Sequence, residues 1–272
     1  MEAAGDAEAP SGTTTARRWW WIAVAGVAAV ALVACAVAWV DRSPARRPPA
    51  PPPVQARLIE PAVVTRPVPP PVPARTTIAT ITGAIPYFAS AGGNQVGTVP
   101  IDSWWGVTKQ LPVIATRPGW LEVRLPQRPN GLTGWIHAGD AQLSSTIYGI
   151  LVVLHTRRVE LYRAGRMVAS FPAGIGTPTD PTPVGHFYVM RIESSPSPGW
   201  GPFIVDTNAH SEAILSWEGS GDAFTAFHGP LGADAEIGTT GAPISHGCIR
   251  MHNPDLAQLA PVPPGAPVVI DA

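Results

Sequence analysis

The sequence predicts a mostly β protein: a β-sandwich-like domain over residues 146–272, preceded by a small β-barrel, a proline-rich linker and one N-terminal membrane-spanning helix. Three observations carry this. Residues 19–40 read WWWIAVAGVAAVALVACAVAWV, without a charged side chain. Residues 41–75 hold 12 prolines. From residue 76 onward, short apolar runs alternate with Gly, Pro and Asn turns.

Residues 1–18 are expected to form a short cytoplasmic tail. A helix over residues 19–40 would be about 33 Å long, enough for a bilayer core of about 30 Å. Trp19, Trp20 and Trp21 at one end and Trp39 at the other fit interfacial aromatic belts. The run is longer than the apolar region of about 7–15 residues in a cleaved signal, which predicts a signal anchor. Ala36-Val37-Ala38 leaves cleavage open, and Leu32-Val33-Ala34-Cys35 leaves lipidation of Cys35 open, although apolar residues follow it. Arg17 and Arg18 precede the run; Arg42, Arg46 and Arg47 follow it, so basic residues alone do not orient it. Long domains translocate largely regardless of such charges. The expectation is a single-pass protein of the cell membrane whose C-terminal part is extracytoplasmic.

The linker, residues 41–75, cannot bury a core and favours extended polyproline II. It carries six Arg against Asp41 and Glu60. Residues 76–145 contain TIATITG, LPVIAT, WLEVRL and GWIHAG, with a tight turn at Pro129-Asn130-Gly131. So many short strands in so few residues predict a small barrel. It holds no nucleophile–base pair, so any chemistry is expected to need only the chain from Thr146 onward. In residues 146–272 the strand candidates are YGILVVLHT, RRVELYR, RMVASFPAG, GHFYVMRI, AILSW, FTAFHG and PVVIDA. Asn253-Pro254-Asp255 reads as a helix start with Asn253 as N-cap. The net charge of −1 gives no reason to expect a nucleic-acid partner.

The unusual stretch is PISHGCIRMHN, residues 243–253. The chain has two cysteines, and Cys35 lies in the apolar run. Cys248 is therefore a lone thiol in the exported part, where cysteines usually pair. A thiol attacks as its thiolate, and a free cysteine near pKa 8.5 is mostly protonated at neutral pH, so a nearby imidazole matters. Two are at hand: His246, and His228 at the end of the FTAF strand. Gly247 permits a sharp turn, and the N–H groups of His246, Gly247 and Cys248 could receive an oxyanion. Arg250 is suited to a substrate carboxylate or, equally, to a structural ion pair.

His228, a gap of sixteen residues, then Ser245-His246-Gly247-Cys248-Ile249-Arg250 resembles the catalytic signature of the YkuD-type L,D-transpeptidases. Pro181-Thr182-Pro183-Val184-Gly185 is similar to a second stretch of that family, and the resemblance covers residues 148–272. WLEVRLPQRPNGLTGWIHAGD resembles the bacterial Src-homology-3-like barrels that accompany wall-remodelling enzymes. The resemblance implies that Cys248 attacks the third residue of a peptidoglycan tetrapeptide stem, expels D-Ala and passes the acyl group to an amine of another stem. It implies His228 as base and acid, held by a backbone carbonyl, that of Gly229; His246 as support of the pocket; Ser245 as support of the loop; no metal or organic cofactor; and the cell wall as partner. Two alternatives stand beside it. Water could replace the amine, giving a carboxypeptidase or endopeptidase. Or the protein could bind the wall without catalysis, with His228, His246, Cys248 and His252 offering zinc ligand types.

Overall fold

A computed structural model describes residues 72–100, 109–217, 222–238 and 243–272. The expected tail, membrane span and nearly all of the linker lie outside these residues. Among the described residues no helix is long and apolar enough to cross a membrane.

Seven strands form a first sheet: β1 (Thr76–Ile81), β2 (Ile85–Phe88), β3 (Gln95–Val99), β4 (Lys109–Arg117), β5 (Trp120–Arg124), β6 (Thr133–His137) and β7 (Gln142–Thr146). Their order is β3-β2-β6-β5-β4-β1-β7, and every pairing is antiparallel. Side chains alternate across each strand. In β5, Leu121 and Val123 enter the core, while Trp120, Glu122 and Arg124 face away. Ala79, Ile81, Leu111, Leu125 and Ile136 complete that core.

Eight strands form a second sheet: β8 (Tyr148–Val153), β9 (Arg158–Arg163), β10 (Arg166–Pro172), β11 (Gly185–Ser194), β12 (Phe203–His210), β13 (Phe224–His228), β14 (Ile249–Arg250) and β15 (Pro267–Asp271). The order is β10-β9-β8-β15-β11-β12-β13-β14. The long β11 pairs with β15 through Gly185–Tyr188 and with β12 through Val189–Ser194, the latter with a register shift between Val189 and Arg191. Ile150, Val152 and Val159 from one half and Val205, Phe227 and Ile249 from the other share one core. The helix α1 (Asn253–Ala257) closes it with Leu256.

Three expectations change. AILSW is not a strand: Leu215 and Trp217 are exposed and Ile214 N–H donates to Ser211 Oγ in a turn, while the strand is the upstream FIVDTNAH. Asn253 is the first residue of α1 and His252 occupies the cap position without a side-chain bond. The Asn253 Oδ1 instead sits against Gly201 and Gly229, which leave no room for a Cβ there. Short β2, β3, β7 and β14 were not foreseen; β3 and β7 are mostly exposed and so lack an apolar pattern.

The two sheets are docked in one compact unit, Val64–Ala272. Tyr188 of β11 is buried in the core of the first sheet. The Asn208 side chain accepts from Tyr188 N–H and donates to the Leu125 carbonyl. The loop after β5 grips the end of β12: Asn130 exchanges two bonds with the His210 backbone, both 2.8 Å. The His210 ring lies 2.8 Å from the Pro126 carbonyl and 2.9 Å from Asp222 Oδ2, and Arg128 bonds Asp222 Oδ1 at 2.7 Å.

Candidate active site

The site lies at one edge of the second sheet. The edge pair β13–β14 is parallel, with Phe227 opposite Ile249 and His228 opposite Arg250. Phe227 and Ile249 are fully buried in the core. Alternation therefore turns Ala226, His228, Cys248 and Arg250 to the other face. The same face continues across the sheet, because Asp206 is opposite Ala226 and Arg191 opposite Asp206. Arg191 Nε donates to Asp206 Oδ2 at 2.6 Å, and its other arm bonds Glu193.

The loop that carries Cys248 is tied in three places. Ser245 Oγ donates to the Cys248 carbonyl at 2.5 Å and accepts from Gly247 N–H at 3.2 Å. Gly247 has φ +113, a conformation that favours glycine. Its carbonyl accepts from Thr182 Oγ1 at 2.9 Å, and that oxygen accepts in turn from Gly176 N–H at 2.9 Å. The strap 174–177 is stitched to the loop by bridges Gly174–Arg250 and Gly176–Ser245. Among the described residues, no hydrogen bond takes the His246 or Cys248 N–H, while the Gly247 N–H has the one to Ser245.

Thr182 is thus the buried link between strap and loop. Thr182→Val is expected to lower stability by about 1–3 kcal/mol, because it leaves two buried backbone groups without partners. Chemical denaturation measures this; an unchanged midpoint would remove Thr182 from the account.

His228 is 2 % exposed. Its Nδ1 donates to the Gly229 carbonyl at 2.7 Å, which leaves Nε2 as the acceptor nitrogen. The Trp200 ring packs against it, with centroids 4.6 Å apart, and Gly229 N–H donates to the Trp200 carbonyl. A Cβ on Gly229 would stand 2.6 Å from Gly201 N, so this turn requires glycine. Burial pulls the imidazole pKa down to about 4, against the Gly229 bond and aided by the Arg250 charge.

Cys248 is half-buried and unpaired. Burial pushes its thiol up; the Ala226 backbone bond and Arg250 oppose this, and the Asp206 carboxylate adds to it. Thiol and imidazole are therefore both neutral at pH 7. Deprotonation belongs to the moment of attack and not to the resting site. Among the described residues, Arg250 has a buried Nε without a partner and a long 3.5 Å contact from NH1 to the Pro230 carbonyl.

His246 is exposed, and its ring faces Trp217 with centroids 6.0 Å apart. His252 bonds Asp234 Oδ1 at 2.9 Å. Among the described residues no group of three or more His, Cys, Asp and Glu is placed to hold a metal ion. Sequence reasoning missed Trp200 and the Arg191–Asp206 pair. The β11–β12 register that brings Arg191 opposite Asp206 could not be read from the sequence, because polar residues interrupt the apolar pattern of β12.

Residues 147–270 match the YkuD family model, the L,D-transpeptidase catalytic domain. A putative L,D-transpeptidase YkuD from Bacillus licheniformis is 32% identical over 117 residues, 43% of this chain and 61% of that protein. Its Bacillus subtilis counterpart is 29% identical over 125 residues, 46% of this chain and 66% of that protein. The chain thus spans less than two thirds of either relative. An L,D-transpeptidase structure from Mycobacterium smegmatis aligns with a TM-score of 0.37 at 15% identity, over 56% of this chain and 91% of that one. The family match and the curated relatives support a YkuD-type L,D-transpeptidase catalytic domain over residues 147–270.

Proposed function

We propose that the protein is a peptidoglycan L,D-transpeptidase with Cys248 as nucleophile. The observation that carries this reading is the placement of Cys248 and His228 on one face of adjacent parallel strands, with the His228 tautomer fixed by Gly229. His228 Nε2 takes the thiol proton as sulfur attacks the carbonyl of the third stem residue. The oxyanion is met by the His246 and Cys248 N–H groups. The C–N bond to D-Ala breaks, His228 returns its proton to the leaving amine, and a thioester remains on Cys248. An amine of a second stem then loses a proton to His228, attacks the thioester and restores the thiol, giving the 3→3 cross-link. Arg250, on the same face as Cys248 and His228, holds a stem carboxylate. His246 shapes the mouth of the pocket; Ser245 and Gly229 hold the loop and the base. Water in place of the amine would give the hydrolase, and no contact in the site favours it.

Incubating the full chain with disaccharide–tetrapeptide and analysing products by mass spectrometry tests this. The expected product is a dimer lighter by one D-Ala. Tripeptide alone, without dimer, would make the protein a carboxypeptidase.

The proposal extends to location. Residues 19–40 anchor the chain, 41–75 space it from the bilayer, and the segment from Thr76 to Ser145 is a barrel of the Src-homology-3-like kind next to the wall. Protease added to intact spheroplasts should then remove residues after 41. Protection until lysis would reverse the orientation.

A further inference from the structure

The groove between the two sheets, far from Cys248 in strand order, has chemistry that the reaction does not use. It encloses about 310 Å³, and its polar lining is Arg75, Thr76, Arg124 and His186, with Pro112 and Ile114 among its apolar walls. We propose that it is a binding site for an oxyanion, a carboxylate or a phosphate, carried on a molecule with an apolar part.

Arg124 is the centre of the argument. Strand alternation turns it out of the first core toward β11, where His186 stands. Burial lowers its pKa and the Glu122 charge opposes this, so the guanidinium is partly desolvated. Among the described residues it has neither an ion pair nor a hydrogen bond; the ion pairs involve other arginines and His210 and His252. Glu122, two residues away on the same strand face, offsets part of that burial without bonding the guanidinium, so its hydrogen-bond donors stay open to an acid from outside the chain. Its neighbour in the groove is His186, whose pKa is pulled down by burial and then by Arg124 itself. Cationic and titratable donors have thus been brought together where an acid between them would be expected.

Arg75 adds a second guanidinium to the same lining. Arg75 is steadied by a 2.7 Å bond from NH1 to Ser145 Oγ, which leaves the rest of its fork free for a ligand. Two guanidiniums and an imidazole form the set of donors, and none of the side chains lining the groove carries a carboxylate. Planar guanidinium forks suit oxyanions, and neutral or cationic ligands would leave them unmatched. The volume is at the lower end of small-molecule sites, about 300–1,000 Å³, and exceeds what a bare ion fills. The apolar walls account for the remainder. This inference does not rest on the role of Cys248, and a binding measurement tests it without any turnover.

Equilibrium dialysis of the full chain against radiolabelled inorganic phosphate, with acetate as competitor, is the test. Saturable uptake of one phosphate per chain is expected. It should weaken about tenfold or more in Arg124→Gln, as expected for losing hydrogen bonds to a charged group. Arg75→Gln, at an exposed position, should weaken it as well and guards against misfolding of the first variant. Thermal unfolding of each confirms the fold. Displacement by acetate at concentrations below those of phosphate assigns a carboxylate ligand; resistance to acetate assigns a phosphate. Absence of saturable uptake, or uptake equal in wild type and both variants, overturns the site.

Discussion

His228→Ala is expected to lower turnover by roughly 10²–10⁴-fold, the usual cost of removing a general base, while leaving the pH profile of Cys248 alkylation in place. The second half of that expectation comes from the site's electrostatics. Burial is the main cause that raises the Cys248 thiol, with Ala226, Asp206 and Arg250 as the other influences. His228 is neutral and contributes no charge to that balance. A resting thiolate–imidazolium pair would behave differently: removing the imidazole would push the alkylation midpoint upward. The same argument fixes the acid limb of kcat/KM. The base must be unprotonated, and the His228 pKa is about 4. Activity should therefore persist as pH falls from 7 and fail only near pH 4. A limb near 6.5 would mean an exposed imidazole does the work. His246→Ala should retain the fold and the alkylation profile and change KM more than kcat, since its ring meets Trp217 at the exposed side of the loop.

Removing residues before Thr146 is expected to unfold or severely destabilise the remainder. The first sheet has no nucleophile–base pair, and from sequence it looked dispensable for chemistry. Its contacts argue for a structural necessity. Truncation would uncover Tyr188, a largely buried aromatic whose burial contributes about 1.5–3 kcal/mol by analogy with other large side chains. It would also leave Asn208, His210 and Asp222 without Leu125, Pro126, Asn130 and Arg128. Each lost partner of a buried polar group costs about 1–3 kcal/mol. A whole domain is stable by only about 5–15 kcal/mol. Arg128→Ala is the milder probe. Burial alone would raise the Asp222 carboxyl, but Ala223 N–H, Arg128 and His210 hold it below the usual carboxylate range. Its contribution is thus present above the unfolded carboxyl pKa and lost as pH falls through the lower folded one. The stability difference between wild type and Arg128→Ala should be full at pH 7 and shrink below about pH 4. Calorimetry of both proteins against pH measures it; a truncation that melts like the full chain would show the two sheets to be independent.

The strands with strong apolar alternation were legible in the sequence: WLEVRL became β5, GHFYVMRI β11 and PVVIDA β15. FIVDTNAH was not, because Asp206, Thr207 and Asn208 interrupt its pattern; Thr207 bonds the Thr225 carbonyl and Asn208 ties the two sheets together. AILSW misled because it is as apolar as a strand, yet its large side chains lie at the exposed surface beside His246. The SHGC motif made Cys248, His246 and Gly247 candidates by spacing alone. What spacing could not convey is that His228 and Cys248 share a face. That follows from the Phe227–Ile249 register, which is set by a core formed from residues far apart in the chain. The neutral state of the pair was equally hidden, since it arises from burial.

Intact-mass measurement of the full chain after brief exposure to a tetrapeptide stem tests the central claim most directly. The account predicts one adduct with the mass of the stem less D-Ala, present on wild type, absent from Cys248→Ala, and slow to appear on His228→Ala. A folded Cys248→Ala protein that still acquires the adduct would place the nucleophile elsewhere and contradict the account.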